Sequence, residues 1–158
     1  NLDIHDIARS SCCYGLGGYY IVTPLQDQRR LLAELLEHWT TGAGGRANPD
    51  RAEALRLVAA ADSVDEALAQ VEARCGERPL VLGSSARFEG AFTYAAVREA
   101  LAERPVLLLL GTSHGLAPAV LEKCDGVLRP LRGAFGYNHF SVRSAAAIML
   151  DRILGDWH

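Results

Sequence analysis

Lysine, metal-binding cysteine patterns and long apolar runs are all scarce in this sequence. Lys123 is the one lysine among 16 basic residues, and 19 acidic residues bring the net charge to -3. A negative net charge argues against a nucleic-acid binder that relies on phosphate neutralisation alone. Because no apolar run approaches the roughly 20 residues of a membrane-spanning helix, we expect a soluble globular chain with no membrane partner.

Cysteine is also rare, and its spacing does not suit a metal site. The four cysteines are Cys12, Cys13, Cys75 and Cys124, and no CxxC pair occurs. Structural zinc sites usually take cysteine pairs separated by two to four residues. The sequence therefore predicts no metal, and we interpret the cysteines as small apolar side chains in a reducing cytosol, which makes the cytoplasm the expected location.

The chain is long enough for a single domain with a sizeable core, since 49% of its 158 residues are hydrophobic. It begins at Asn1 instead of Met, and Asp3, His5 and Asp6 interrupt any signal-peptide core, so we expect a processed or trimmed start. A doubly wound domain opens with a strand, whereas this chain opens with a helical pattern. We therefore expect one domain over 1–158 that lacks its first N-terminal strand.

Hydrophobic periodicity divides the chain into alternating helices and short strands. Helices are predicted over Asp3–Cys13, Gln26–Thr40 (with Leu31, Leu32, Leu35 and Leu36 as its buried stripe), from Pro49 after an Asn48 cap, from a capping box at Ser63–Glu66 to Arg74, and over Thr93–Glu103, Pro118–Lys123 and Ser141–Leu154. Strands are predicted over Tyr19–Thr23, Arg56–Ala60, Pro79–Ser85, Val106–Leu110 and Gly126–Leu128, and Gly42–Arg46 is predicted to be a flexible loop. The alternation predicts an α/β fold with a mainly parallel sheet and helices on both faces.

The stretch from Leu107 to Arg143 has the features of a binding site. Val106–Leu110 is an apolar run stopped by Gly111, which is typical of a strand buried on both faces of a parallel sheet. Gly-rich turns follow this strand and the next one, at the strand ends where an open α/β sheet usually binds its ligand. These turns carry little charge, which suits backbone groups closing on a flat, neutral moiety such as a nucleoside.

Three motifs in this stretch resemble the C-terminal half of the SPOUT (α/β-knot) RNA methyltransferases. They are GTSHGL at 111–116, LRPLRG at 128–133 and YNHFSVRSAAAI at 137–148, and the opening NLDIHDIAR at 1–9 resembles the family's first motif. The closest resemblance is to the stand-alone bacterial SAM-dependent RNA methyltransferases, and it covers nearly the whole chain. It implies a C-terminal trefoil knot, S-adenosylmethionine as methyl donor with S-adenosylhomocysteine as product, and a tRNA or rRNA substrate.

The resemblance also assigns site residues by position. The cofactor would be wrapped in a bent conformation by residues of successive loops: Leu110, Gly111, Thr112, Gly115, Leu116, Leu131, Gly133, Tyr137, Asn138, Phe140 and Ser141. Catalytic roles are implied for Arg9, Asn138 and Ser141. Many relatives carry Trp where this sequence has His114, so this wall of the site is expected to differ in shape.

A homodimer is expected from the same resemblance and from the last helix. Apolar or small residues cover more than one stripe of the predicted helix between Val142 and Leu154, and a helix packed only on its own domain needs one stripe. SPOUT proteins typically dimerise against the knot. The opening helix, with Ile4 and Ile7, is the candidate for the other side of a two-fold contact, which would place Arg9 near the partner's cofactor loops.

Two other functions stay open on the sequence alone. GTSHG fits the GxSxG nucleophile elbow of serine hydrolases and follows a predicted strand, as that motif requires, with Ser113 as the nucleophile. Its partners would be Asp125 or Asp151 and His139 or His158. The second alternative is a non-catalytic knot domain that binds RNA, which the His114 variation and the acidic balance leave open.

Overall fold

The structure is a computed structural model that describes residues 2–156. Its helices are α1 (Leu2–Cys13), α2 (Gln26–Thr40), α3 (Ala43–Ala47), α4 (Pro49–Leu55), α5 (Val64–Cys75), α6 (Tyr94–Leu101), α7 (Pro118–Leu121) and α8 (Val142–Leu154), and its strands are β1 (Tyr19–Val22), β2 (Val58–Ala61), β3 (Leu80–Gly83), β4 (Val106–Leu109) and β5 (Gly126–Val127). The chain divides into two compact units, the first ending at Ala67 and the second beginning at Leu68.

The first unit is a parallel strand pair, β1 with β2, packed by helices around a core of Ala8, Leu32, Leu55 and Val58. Helix α2 has the predicted bounds, and three leucines of the predicted buried stripe, Leu32, Leu35 and Leu36, pack in this core. The prediction is wrong for Leu31, which is 54% exposed. Leu31 lies about 100° around the helix from the buried Leu32, at the edge of the packing face.

Two predictions in this unit are corrected by the structure. The glycine-rich segment predicted as a flexible loop forms the short helix α3, which packs so closely on α2 that a Cβ at Gly45 would lie 2.3 Å from the Trp39 carbonyl oxygen. Strand β2 begins at Val58 and not at Arg56. The Arg56 and Leu57 amides still donate to α4 carbonyls, so the helix extends into the predicted strand.

The predicted helix starts are confirmed where a side chain caps them. Asn48 Oδ1 accepts a hydrogen bond from the Arg51 amide at 3.0 Å, and Pro49 occupies the first turn of α4. Ser63 Oγ accepts from the Glu66 amide at 3.2 Å, while the Glu66 carboxylate accepts from the Asp62 amide. These contacts satisfy amides that have no partner inside their helices.

The second unit is a three-stranded parallel sheet with the order β4-β3-β5. Every residue of β3 is buried, whereas β4 is an edge strand of this sheet and only Leu109 is fully buried on it. The strand buried on both faces is therefore β3, and the prediction that β4 has this position is wrong. All strand pairs of the described residues are parallel, as predicted.

Helices cover both faces of the three-stranded sheet, which confirms the predicted arrangement. Leu80 and Leu82 pack with α6 and α8, in a core whose buried members are Leu80, Leu82, Val97, Leu128, Leu131, Met149 and Ile153. The opposite face of the sheet packs against α7: a Cβ built at Gly83 would lie 2.9 Å from Leu121 Cδ2. No helix within residues 2–156 has both the length and the apolarity needed to cross a bilayer.

Candidate functional site

Parallel pairing brings the carboxyl ends of β3, β4 and β5 to one edge of the second unit's sheet. Three loops leave the strands there: loop 1 (84–93) after β3, loop 2 (110–117) after β4, and loop 3 (128–141) after β5. All predicted cofactor residues lie in loops 2 and 3. The structure therefore brings these residues to the strand ends where α/β sheets bind ligands.

Loop 2 folds tightly on itself. The Gly115 amide donates to the Thr112 carbonyl at 2.9 Å, and a Cβ at Gly111 would lie 2.3 Å from the Gly115 carbonyl carbon. Gly115 has a φ of +85°, a left-handed conformation that side-chain-bearing residues rarely adopt. Gly111 is thus required for closure of the turn and Gly115 for its backbone conformation, while the backbone from Thr112 to Gly115 faces outward.

Loop 3 is anchored by apolar side chains at its start and is open beyond them. Leu128 and Leu131 are buried in the core. A Cβ at Gly133 or Gly136 would meet no atom within 4 Å. The space beside the backbone at Gly133 is therefore open.

Loop 3 ends in polar and aromatic residues with distinct contacts. Asn138 Nδ2 donates to the Ala86 carbonyl of loop 1 at 2.9 Å. The exposed Tyr137 ring contacts His139 edge-on, with 5.6 Å between ring centroids. Ser141 Oγ accepts from the Ser144 amide at 3.3 Å and lies 2.9 Å from Ser144 Oγ, so this hydroxyl caps α8.

Loop 1 lies at the same sheet edge and contacts loop 3, and the sequence analysis did not include it in the candidate site. Ser84 is buried and its amide and hydroxyl both donate to the Leu109 carbonyl of β4, at 3.0 and 2.9 Å. Further along, Glu89 forms an ion pair with Arg132 of loop 3. Phe92 exchanges backbone hydrogen bonds with Val127 and Arg129. The signal in the sequence was a polar turn directly after the most buried strand.

Two further residues named by the sequence analysis, Arg9 and Asp125, do not belong to these loops. Arg9 is exposed on α1, in the first unit. Asp125 precedes β5, where its carboxylate accepts from the Val81 amide at 2.8 Å and from Arg78 at 3.0 Å. The Val81 hydrogen bond and the Arg78 cation lower the pKa of Asp125. Asp125 is therefore a structural anion. Asn1 and His158 lie outside the described residues.

The geometry of the serine hydrolase alternative is incomplete. Ser113 has a φ of +46°, an uncommon value for a residue with a side chain, and it lies on the exposed turn of loop 2. Within residues 2–156 its hydroxyl forms no hydrogen bond with a histidine, so this part of the chain shows no base in position to activate it. In the same part of the chain, no three His, Cys, Asp or Glu side chains come together as a metal site.

Comparison with solved structures identifies the fold. The SpoU methyltransferase AviRb from Streptomyces viridochromogenes, solved in complex with AdoMet, superposes with a TM-score of 0.65 over 96% of this chain and 52% of that chain. The two sequences are 20% identical, so the likeness concerns the fold. It confirms the predicted SPOUT-type α/β class, while the trefoil knot stays a prediction.

Comparison of the sequence identifies the family. Residues 1–155 match the model of the SAM-dependent RNA methyltransferases, and the chain belongs to this family. It is 62% identical over 156 residues to the tRNA (guanine-N(1)-)-methyltransferase of Oleidesulfovibrio alaskensis, covering 99% of this chain and 37% of that protein. It is 38% identical to an uncharacterized protein of Aquifex aeolicus, covering 96% of this chain and 76% of that protein.

The family assignment confirms the resemblance stated in the sequence analysis, and the family's description includes dependence on S-adenosylmethionine as methyl donor. It favours a methyltransferase over the serine hydrolase. The chain spans little more than a third of the curated tRNA methyltransferase it matches. The Aquifex relative shows that this segment also makes up most of a shorter protein.

Proposed function

We propose that this chain transfers a methyl group from S-adenosylmethionine to a nucleotide of tRNA, or failing that of rRNA, in the cytoplasm, with loops 1, 2 and 3 as the active site. The observation that carries this proposal is the convergence of three glycine-containing, weakly charged loops at one sheet edge in a chain of this family. The donor carries an activated methyl group on a sulfonium, so the protein has mainly to align donor and acceptor.

The loops suit the adenosine part of the donor. Leu110, Gly111, Thr112, Gly115 and Leu116 would form one wall, and Leu131 and Gly133 would offer backbone groups to the adenine. Open space at Gly133 and the inward anchoring of Leu131 support this assignment. Tyr137 and Phe140 are exposed aromatic side chains of loop 3 and would close the third side.

The catalytic assignments rest on position and on a few contacts. The Asn138 amide is held by its hydrogen bond to Ala86, which leaves its Oδ1 to orient the acceptor nucleotide. Ser141 would act through α8, which its hydroxyl caps, and neither residue is a strong base. Arg9 is proposed to reach the site of a partner chain and to contact RNA phosphate there.

We also propose the homodimer and the trefoil knot. Along α8, the buried residues Ala146, Met149, Leu150 and Ile153 form the stripe that packs in the second unit, and Leu154 is 41% exposed. On α1, Ile7 is buried in its own unit, so the prediction that it contacts a partner is corrected; Leu2 is the exposed apolar residue on that helix. Loop 3, which lacks regular structure between β5 and α8, contains the region from Leu131 to His139 through which the C-terminal segment of a knot would thread.

The nucleotide and the methylated atom are tested directly. Bulk tRNA and rRNA are incubated with the protein and S-adenosylmethionine labelled in its methyl group, and labelled nucleosides are identified by mass spectrometry. Label in tRNA is the expected result, with N1 of guanine the first atom to examine because of the name of the 62% relative. Binding of S-adenosylhomocysteine without label in any RNA would favour the non-catalytic knot domain instead.

A further inference from the structure

Two phenyl rings on the rim of the candidate site are largely exposed and do not belong to the core. Phe88 of loop 1 is 57% exposed and Phe135 of loop 3 is 88% exposed. The sequence has four phenylalanines, and among the described residues only Phe92 packs against the core. Large apolar rings exposed together beside a binding site usually mark a contact surface.

A hydrogen bond and an ion pair between loops 1 and 3 hold these rings on the same rim. Ala86 is bonded to Asn138, and Glu89 is paired with Arg132. On loop 1, Phe88 lies between Ala86 and Glu89. On loop 3, Phe135 lies between Arg132 and Asn138. The two contacts therefore join the short segments that carry the phenyl rings.

Loops 1 and 3 carry three arginines, Arg87, Arg129 and Arg132, and one glutamate, Glu89. Arg132 is neutralised by Glu89. The exposed Arg87 is the neighbour of Phe88, and its guanidinium forms no ion pair within residues 2–156. With a net charge of -3 on the whole chain, stacking is the stronger source of RNA affinity that this surface offers.

We propose that Phe88 and Phe135, the aromatic rim, stack on unpaired bases of the RNA beside the nucleotide to be methylated, so that the substrate presents a single-stranded segment and not a continuous duplex. This proposal rests on the proposed methyltransferase function. Bases in an A-form duplex are stacked on each other and their faces are closed to side chains, whereas bases of loops and bulges are free to stack on aromatic rings. Arg87 would contact one flanking phosphate.

The test measures RNA binding and cofactor binding separately in the full chain. The probe is a fluorescent RNA of mixed sequence and about 16 nucleotides, the upper end of single-strand site sizes, used alone and annealed to its complement. The variants are Phe88→Ala with Phe135→Ala, the same pair changed to Leu, and the same pair changed to Tyr. Leu101→Ala, an exposed apolar residue in the same unit, is the matched control.

We expect the single strand to bind better than the duplex, and the double Ala variant to bind it roughly 10-fold or more weakly, since base–aromatic stacking contributes substantially per base. The double Leu variant keeps apolar surface but has no π face, so it should bind the single strand nearly as weakly as the double Ala variant. The double Tyr variant should bind it about as well as the wild type. Titration with S-adenosylhomocysteine should be unchanged in all variants, which also shows that they are folded.

Four results would overturn the proposal about the aromatic rim. Unchanged RNA affinity in the double Ala variant, while the wild type binds and methylates RNA, leaves the proposed function intact and removes this inference. Equal binding of duplex and single strand removes the claim about unpaired bases. Loss of dimerisation in the double Ala variant would make the rim an interface between copies of the chain. A wild type that binds neither RNA nor S-adenosylhomocysteine would remove the proposed function as well.

Discussion

Glycine serves two different purposes in the site, and substitutions separate them. Gly115 has a left-handed backbone conformation, whereas Gly133 does not. A Cβ built at Gly133 would lie in open space. The φ value means that any side chain at 115 strains loop 2 whether or not a ligand is present. A side chain at 133 meets nothing in the free protein.

The first prediction follows from this difference. Gly133→Val should abolish S-adenosylhomocysteine binding in calorimetry with little change in the thermal midpoint without ligand, because Val would fill only the ligand's space. Gly115→Val should lower the midpoint as well. Gly17→Val, at an equally open glycine of the first unit, is the control. Normal cofactor affinity in folded Gly133→Val would contradict the cofactor assignment of loop 3.

A second residue-scale feature is the histidine beside Trp39 in the first unit. The His5 and Trp39 ring centroids are 5.6 Å apart, and the Arg51 guanidinium lies 4.7 Å from the same indole. His5 Nδ1 is buried and makes no hydrogen bond within the described residues. Burial, and then the Arg51 cation, lower the pKa of His5 below 6.5, while Asp6 opposes the shift.

The second prediction is a loss of stability in mild acid. Because the folded state holds His5 neutral, the unfolded state binds more protons once the pH falls below 6.5, and the free energy of unfolding decreases from there down through the lowered pKa. Urea titrations followed by tryptophan fluorescence at about pH 7.5 and about pH 5.5 measure this. The loss should be smaller in His5→Phe and in Arg51→Gln; an equal loss in both variants would exclude His5 as its source.

At the scale of elements, close packing decides what a glycine-rich segment becomes. Helix α3 contains two glycines that meet α2 in different ways. A Cβ at Gly45 would approach backbone, the Trp39 carbonyl oxygen at 2.3 Å. A Cβ at Gly44 would approach the His38 imidazole, a side chain that can rotate away, as well as the Trp39 ring.

The third prediction is therefore a graded effect. In an exposed helix, Gly→Ala usually stabilises by about 0.5–1 kcal/mol. Here Gly45→Ala should destabilise the protein by about 1–3 kcal/mol through overpacking, and Gly44→Ala by less. The free energy of unfolding in urea gives both values. A stabilised Gly45→Ala would mean that α3 does not pack on α2 at this distance.

At the scale of the whole molecule, the proposed homodimer would bring α1 of one chain to the cofactor loops of the other. Arg9 lies on α1 in the first unit, while the cofactor loops belong to the second. If Arg9 acts on the partner's site, each active site takes residues from two chains. Light scattering at micromolar concentration should give the mass of a dimer.

The fourth prediction uses mixed dimers to test the shared site. Arg9→Ala and Gly133→Val homodimers should both be inactive, whereas a mixture of the two variants should recover activity, because one site per heterodimer keeps Arg9 from one chain and loop 3 from the other. Mixing Arg9→Ala with wild type, at the same total concentration, sets the reference. A mixture of the two variants that stays inactive would show that Arg9 does not act across an interface.

Local sequence was enough to place most elements of this chain. Caps at Asn48 and Ser63 and the leucine periodicity of α2 fixed helix positions, because these signals act within a few residues. The motifs that begin at Gly111 and Leu128 located two of the three loops of the candidate site for a similar reason, since each of them lies within one loop.

Tertiary structure decided everything that depends on neighbours distant in sequence. The order β4-β3-β5 put β3 at the centre and left β4, the more obvious apolar run, at an edge. The same order placed loop 1 beside loop 3, where Glu89 meets Arg132 and Ala86 meets Asn138 over gaps of 43 and 52 residues. Periodicity reports which residues avoid water, but only pairing between strands determines which loops share an edge and so which side chains form one site.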